Sequence, residues 1–528
     1  MRIHFQLKYL MVAVILVALV ACNDAAPTPI KVYVTATFPA QVAGVIPASP
    51  TPTSTIESAA PTETAPYEPS PTTEVALSPS PDTAGQGVPI AHTPTSTSTA
   101  SPTVTPTSSV TATASVEIMT STPTLTPTST FTETWTPQPS LTPTPSPTNT
   151  LAPPSFPNVP PQDQLPVLQS GGMGIQLHPL VTDEQWTQLL VQVNELGFEW
   201  VKIQLSWKQL EPAPGQYSDL FYTYVRRVQW ASFQVGSHKI LLSVVGAPDW
   251  ARPQGFDPAL EGPPADPAAL ANFLTAFIRE TKPEDNRIQA IEIWNEPNLI
   301  REWSGQEISG ANYMRLFDAA YAAVKAVAPN ITVVTAGLAP VCNVPDTVCD
   351  REFLRQMYAA GLAQYADVKI GVHPYGWANP PDSRCCTSER GWANDKVFYF
   401  LETISDYADI IRQNNHATKM WLTEMGWGTF KGVGPGGMDL PAPAVAGFFD
   451  LITPQQQAEY GIQAFALIQQ PPLSDVVELG FLWNLNFAMI GDAVNAPQEQ
   501  MGYSLLDATG YPRLIYRYFQ VARKIPSS

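Results

Sequence analysis

Two glutamates in this chain stand where short apolar runs break off. Glu296 lies in the segment IEIWNEPN, residues 291–298, and Glu424 in WLTEMGW, residues 421–427. Each is preceded by aliphatic and aromatic residues and followed by a residue that ends regular structure, Pro297 in one case and Gly426 in the other. A single glutamate in such a place is most often a solvated loop residue, but a second in the same setting describes a pair. Two carboxyl groups with opposite duties, one giving a proton and the other attacking carbon, are the machinery that cleaves an acetal such as a glycosidic bond. Similar apolar runs elsewhere end in His178, Trp207, His373 with Tyr375, and Trp483, while Asn295 precedes Glu296 and Trp427 follows Glu424. Aromatic faces suit the C–H surfaces of a pyranose, and amide and imidazole groups suit its hydroxyls, so all seven are candidate substrate-binding residues. The division of labour requires one of the two to be protonated, so the carboxyl of whichever is the acid is expected above its ordinary value. Strict alternation along a strand cannot aim both Asn295 and Glu296 inward, so a bulge or a strand end is expected there.

Something must hold these residues on one face. From residue 172 the chain repeats a short apolar strand, a loop and an amphipathic helix. The predicted strands are Met173–His178, Trp200–Trp207, Ile240–Val245, Ile288–Trp294, Ile331–Ala336, Asp367–His373, Lys419–Thr423 and Leu479–Leu485. They are rich in Val, Ile and Leu without clean alternation, as parallel strands buried on both faces are. Helical periodicity fills Asp183–Leu196, Pro267–Glu280, Ala311–Ala328, Phe398–Gln413, Gln455–Gln469 and Tyr511–Lys524; Thr182 caps the first and Gly197 ends it. Eight such units predict an α/β fold of the (β/α)8 (TIM) barrel type, whose active sites form where strands run out into βα loops. A doubly wound open sheet would carry a phosphate-binding glycine loop after its first strand, whereas here the glycines precede it. Glutamates at the ends of strands four and seven face each other across such a barrel. A separation of about 5–5.5 Å would leave no room for water and imply a glycosyl-enzyme intermediate, hence retention.

The segments IWNEPN and WLTEMGW resemble the acid/base and nucleophile signatures of clan A glycoside hydrolases. Within the clan, residues 170–528 most resemble family 39 and related β-xylosidase-like and exopolysaccharide-cleaving enzymes. WVKIQLSWKQLEPAPGQYS at residue 200, GVHPYG at 371 and GYSLLDATGYPRLIYRYF at 502 share the likeness. The resemblance implies that Glu296 is the general acid/base and Glu424 the nucleophile. It implies that Asn295 bonds the sugar 2-hydroxyl, that His373 and Tyr375 flank the nucleophile, and that Trp483 floors the first sugar subsite. The chain departs from the pattern at Lys202, where relatives often carry Arg; lysine keeps the charge but loses bidentate geometry.

Composition divides the 528 residues sharply. Arg2 and Lys8 precede an apolar run, Tyr9–Ala21, which is too short to span a bilayer and reads as an export signal. Leu19-Val20-Ala21-Cys22 resembles a bacterial lipobox, implying a lipid on Cys22 after residues 1–22 are processed. Residues 23–165 are a Thr/Pro/Ser-rich tract expected to be a disordered linker, lacking the apolar surface to offset the entropy of ordering. The catalytic domain is then 166–528, exported and held at the cell surface through the lipid anchor. A formal net charge of −18 excludes a nucleic-acid partner. Cys342, Cys349, Cys385 and Cys386 are disulfide candidates in an exported chain. Cys342 and Cys349 could close a small loop; adjacent cysteines rarely bond to each other, so cross-pairing of the two loops stays open, with a zinc site the competing idea. Neither metal-ligand spacing nor a nucleotide loop is present, so no metal or organic cofactor is expected. The expected partner is a carbohydrate substrate. Two alternatives stand beside hydrolysis: a noncatalytic carbohydrate-binding surface protein on a decayed barrel, and a transglycosylase on the same site.

Overall fold

The computed structural model describes residues 156–233, 237–386, 392–443 and 447–526. The export signal, Cys22 and the linker up to residue 155 lie outside the described residues. Among the described residues no helix is long and apolar enough to cross a membrane.

All eight predicted strands are present: β1 (Met173–Leu177), β2 (Trp200–Ser206), β3 (Lys239–Val245), β4 (Ala290–Ile293), β5 (Thr332–Thr335), β6 (Val368–Val372), β7 (Met420–Met425) and β8 (Val477–Leu482). Every neighbouring pair is parallel, and β1 pairs back onto β8, closing the sheet into a barrel. The fold is a (β/α)8 barrel. Eight longer helices pack outside it: α1 (Asp183–Leu196), α2 (Asp219–Phe233), α3 (Pro267–Glu280), α4 (Gly310–Val327), α5 (Asp350–Ala359), α6 (Phe400–Gln413), α7 (Pro454–Ile468) and α8 (Leu514–Val521). Helix α1 shows why the boundaries were readable. Thr182 accepts from the Gln185 amide while Gln185 returns a bond to the Thr182 amide, and Gly197 terminates the helix in the left-handed region. Helices α2 and α5 were not anticipated, and α8 is shorter than predicted.

Two short strands, Leu168–Gln169 and Lys524–Ile525, pair in parallel and tie the start of the domain to its end. Ahead of them Val159 and Leu165 pack against the core, and the Gln162 side chain donates to the Val521 carbonyl.

The barrel interior is layered. Trp200, Leu241, Ala290, Val334, Trp421, Leu479 and Phe481 form an apolar cluster of their own. Two residues further along the same strands, hence on the same face, come Lys202, Ser243, Glu292 and Thr423, all fully buried. Polar chemistry therefore begins inside the barrel, directly above an apolar plug.

Candidate active site

Strand β4 ends at Ile293, earlier than the sequence suggested. Trp294 and Glu296 both take left-handed backbone conformations, with φ of 75° and 43°. That irregular path breaks the alternation that would send Asn295 and Glu296 to opposite faces. The backbone amide of Glu296 donates to the Gly337 carbonyl at 3.0 Å, fixing the turn against the end of β5. Glu424 differs from expectation in the other direction: it lies within β7, not after it. The pairing of β7 with β8 is irregular between Leu422 and Met425, the place where a bulge re-aims a side chain.

The two glutamates, 4% exposed each, meet at His373. The imidazole Nδ1 is 3.2 Å from Glu296 Oε1 and 3.8 Å from Glu424 Oε2. One oxygen from each carboxylate and a ring nitrogen of His373 all lie within 4.8 Å of one another. His373 thus bridges the pair rather than merely flanking Glu424. Burial alone would lower its pKa, but the two carboxylates outweigh burial and raise it. Two carboxylates and an imidazole are also donor types a divalent metal accepts. Here, however, Arg301, Lys202 and Tyr375 already occupy the carboxylate oxygens.

Glu424 is held from both sides. The Tyr375 hydroxyl donates to its Oε2 at 2.8 Å, and Lys202 Nζ donates to its Oε1 at 3.1 Å. The same ammonium lies 3.0 Å from Glu292 Oε2 and donates to the Thr423 carbonyl at 3.2 Å. Lysine at this position therefore makes the single-point contact the sequence allowed, and spends the rest of its charge on Glu292. Burial pushes Glu292 up, but Lys202 and His373 outweigh it and hold its carboxyl below the ordinary range.

Glu296 overturns one expectation. Burial would raise its carboxyl, yet the Arg301 guanidinium and His373 together hold it below its ordinary value. The reason is contact: Arg301 Nη2 donates directly to Glu296 Oε2. Arg301 faces two further carboxyl groups, Glu302 beside it in the loop after β4 and Glu499 in the loop after β8.

The other predicted residues divide. Asn295 precedes Glu296 in the chain and is buried, and its side-chain carbonyl has no hydrogen-bond partner among the described residues. Trp483, 7% exposed, packs edge-on to Tyr375 with ring centroids 5.8 Å apart, and Tyr503 lies 4.9 Å from it. His178 is half-buried at the rim against Phe487, and burial lowers its pKa to about 4, so it is neutral. Trp207 and Trp427 are not on the cleft wall. Trp207 is fully buried, its indole N–H donated to Glu211, and Trp427 is 2% exposed with its N–H on the Asn379 carbonyl. Both fill gaps between barrel and helices, so neither offers a ring face to a ligand. Cys342 and Cys349 pair, closing the small loop their spacing allowed, and Cys385 and Cys386 lie beside each other. With Cys342 and Cys349 joined, cross-pairing of the two loops is not realised.

Glu292, Arg301, Glu302, Glu499 and Tyr503 were missed. Glu292 had a signal: a charged residue in an otherwise apolar strand, at the same inward parity as Lys202 on β2. Tyr503 had one in the segment from Gly502 that shares the family likeness, whereas Glu499 lies outside every quoted segment and had none.

No protein-family model matches this chain, and no curated protein sequence does. Solved structures similar to it include a family 39 glycoside hydrolase from the gut symbiont Bacteroides cellulosilyticus, with 21% identity and a TM-score of 0.48. The match covers 67% of this chain and 63% of that one, so the chain spans under two thirds of the Bacteroides protein. A family 39 β-xylosidase from Caulobacter crescentus shares 17% identity at a TM-score of 0.43, covering 67% of this chain and 71% of its own. A family 39 enzyme from Xanthomonas axonopodis pv. citri shares 14% identity at a TM-score of 0.46, covering 68% and 67%.

Proposed function

We propose that this chain is a retaining glycoside hydrolase acting on a β-linked oligo- or polysaccharide. The observation that carries the reading is the pair Glu296 and Glu424: buried, converging from β4 and β7, with one oxygen of each inside a 4.8 Å set. That spacing suits direct attack on an anomeric carbon, with no water between. In the first step a Glu424 oxygen bonds to the anomeric carbon as the glycosidic bond breaks, and the Glu296 proton goes to the departing oxygen. In the second, Glu296 takes a proton from water, the water oxygen bonds to the anomeric carbon, and Glu424 is released. Lys202 and Tyr375 orient the nucleophile, and both must keep their places on its two oxygens through the cycle. The unpartnered carbonyl of Asn295 supports a role in accepting a sugar hydroxyl, since a buried acceptor left bare is costly. Trp483 and Tyr503 supply an apolar floor.

The test is reducing-end release from β-linked glycans by the full chain, beside Glu424→Gln and Glu296→Ala. The proposal predicts loss of release in Glu424→Gln, with the fold unchanged by circular dichroism. Glycan binding without release in the unaltered protein would favour the noncatalytic alternative. Transfer of the sugar to an added acceptor in place of water would favour the transglycosylase. We further propose export with a lipid on Cys22, supported by the lipobox resemblance; Cys22→Ala should release the protein from membranes.

A further inference from the structure

The substrate-free site presents a difficulty for the proposed acid. Glu296 must carry a proton to act, yet it is paired directly with Arg301. If Glu296 becomes neutral, Arg301, only 11% exposed, loses its nearest counter-charge, and a buried cation needs one. A replacement partner is already in place. Arg301 Nε lies 3.5 Å from Glu302 Oε1, so one guanidinium touches both carboxyl groups.

We propose that Glu302 is a positioning residue for the acid/base, sharing Arg301 with Glu296 so that Arg301's charge passes to Glu302 when Glu296 takes up its proton. This rests on the glycosidase reading above. In the exchange Glu302 gives its proton to solvent and Glu296 gains one; only O–H bonds change, and Arg301 stays a cation throughout. Two groups coupled this strongly through a shared charge titrate as a pair. The charged and titratable groups facing the pair are Arg301, His373, Tyr375, Glu424, Glu499, Tyr503 and, toward Glu302, Glu261. The protonation states agree with the geometry. Burial pushes Glu302 up to about 7, with Arg301 opposing and Glu296 and Glu261 reinforcing. Glu302 therefore still holds a proton to release in the range where Glu296, held low, has lost its own. The backbone role of Glu302, accepting from the Trp294 indole at 3.0 Å, is independent of its side chain, so Glu302→Gln leaves it intact.

The experiment compares pH profiles of kcat/KM for phenyl and 2,4-dinitrophenyl β-glycosides of xylose, glucose and mannose. Phenol departs only with a proton; dinitrophenolate needs none. In Glu302→Gln, Glu296 is left with Arg301 and loses its proton at lower pH. Phenyl glycoside turnover at pH 7 should fall about tenfold for each unit moved, with dinitrophenyl turnover unchanged. Glu302→Asp should restore the profile, and Arg301→Gln should move the limb the other way, to higher pH. The idea is overturned if the two glutamine variants move the limb in the same direction, or if Glu302→Gln slows both substrates equally. A 13C-carboxylate NMR titration of the full chain separates the two readings. If Glu296 shifts to lower pH in Glu302→Gln while no glycoside is cleaved, the coupling stands and the glycosidase reading falls. An unmoved Glu296 refutes the coupling whatever the activity.

Discussion

Lys202 offers the sharpest perturbation, because one buried ammonium serves two buried carboxylates. Its side chain is 0% exposed, as is that of Glu292, and Glu424 is 6% exposed. Contacts of 3.0 and 3.1 Å leave no space for water between the charges. Lys202→Met keeps most of the length of the side chain and removes its charge and its donors, leaving Glu292 without its cation inside the barrel. Breaking a buried pair by deleting one partner costs about 3–5 kcal/mol. The sign with pH follows from Glu292. Its folded pKa lies below the ordinary value, so in the native protein it contributes stability above that value, and loses it as pH falls through the lower folded one. Without Lys202, only His373 and Thr423 oppose burial, and the folded pKa rises above the ordinary one. Ionisation then costs stability as pH climbs. The gap between variant and native protein should therefore be widest near pH 8 and shrink toward pH 4. Urea denaturation of both proteins across that range measures it. Lys202→Met combined with Glu292→Gln should recover about 1–3 kcal/mol as coupling between touching residues. A loss below about 1 kcal/mol, or one that is flat with pH, would refute the argument that this cation neutralises the barrel interior.

Tyr375→Phe removes the 2.8 Å bond to Glu424; a bond to a charged group is worth about 1.5–3 kcal/mol, so kcat should fall roughly 10- to 150-fold with KM little changed. Trp427→Ala should lower stability by about 3–5 kcal/mol, as a large buried ring does, without the selective rise in KM a sugar platform would give. Gly337→Ala would place a Cβ 2.1 Å from His373 Nε2 and 2.6 Å from Thr423 Oγ1. It should displace the imidazole from both glutamates, and steady-state kinetics should show kcat falling while far-UV circular dichroism stays native.

The barrel was legible because its signals are local. Buried parallel strands read as apolar runs, and caps such as Thr182 and Gly197 mark helix ends within three residues of the chain. That Glu296 and Glu424 would converge was legible because strand ends in such a barrel share a face. What failed was everything set by distance across the fold. Trp207 and Trp427 occupy positions that face inward on paper, but which tryptophans are roofed over by helices depends on packing that no short segment encodes. The protonation of Glu296 was misjudged because Arg301, five residues on, folds back onto it; spacing of five in an irregular loop predicts no contact.

The central claim is that Glu424 bonds covalently to the sugar. Incubating the full chain with 2-deoxy-2-fluoro β-glycosides bearing dinitrophenolate, across xylose, glucose and mannose, should trap that bond, because the fluorine slows its release. Peptide mass spectrometry should then find one sugar per chain on the peptide holding Glu424, and none in Glu424→Gln. A label on Glu296, or an unlabelled protein that still turns over the parent glycoside with inverted configuration, would contradict it.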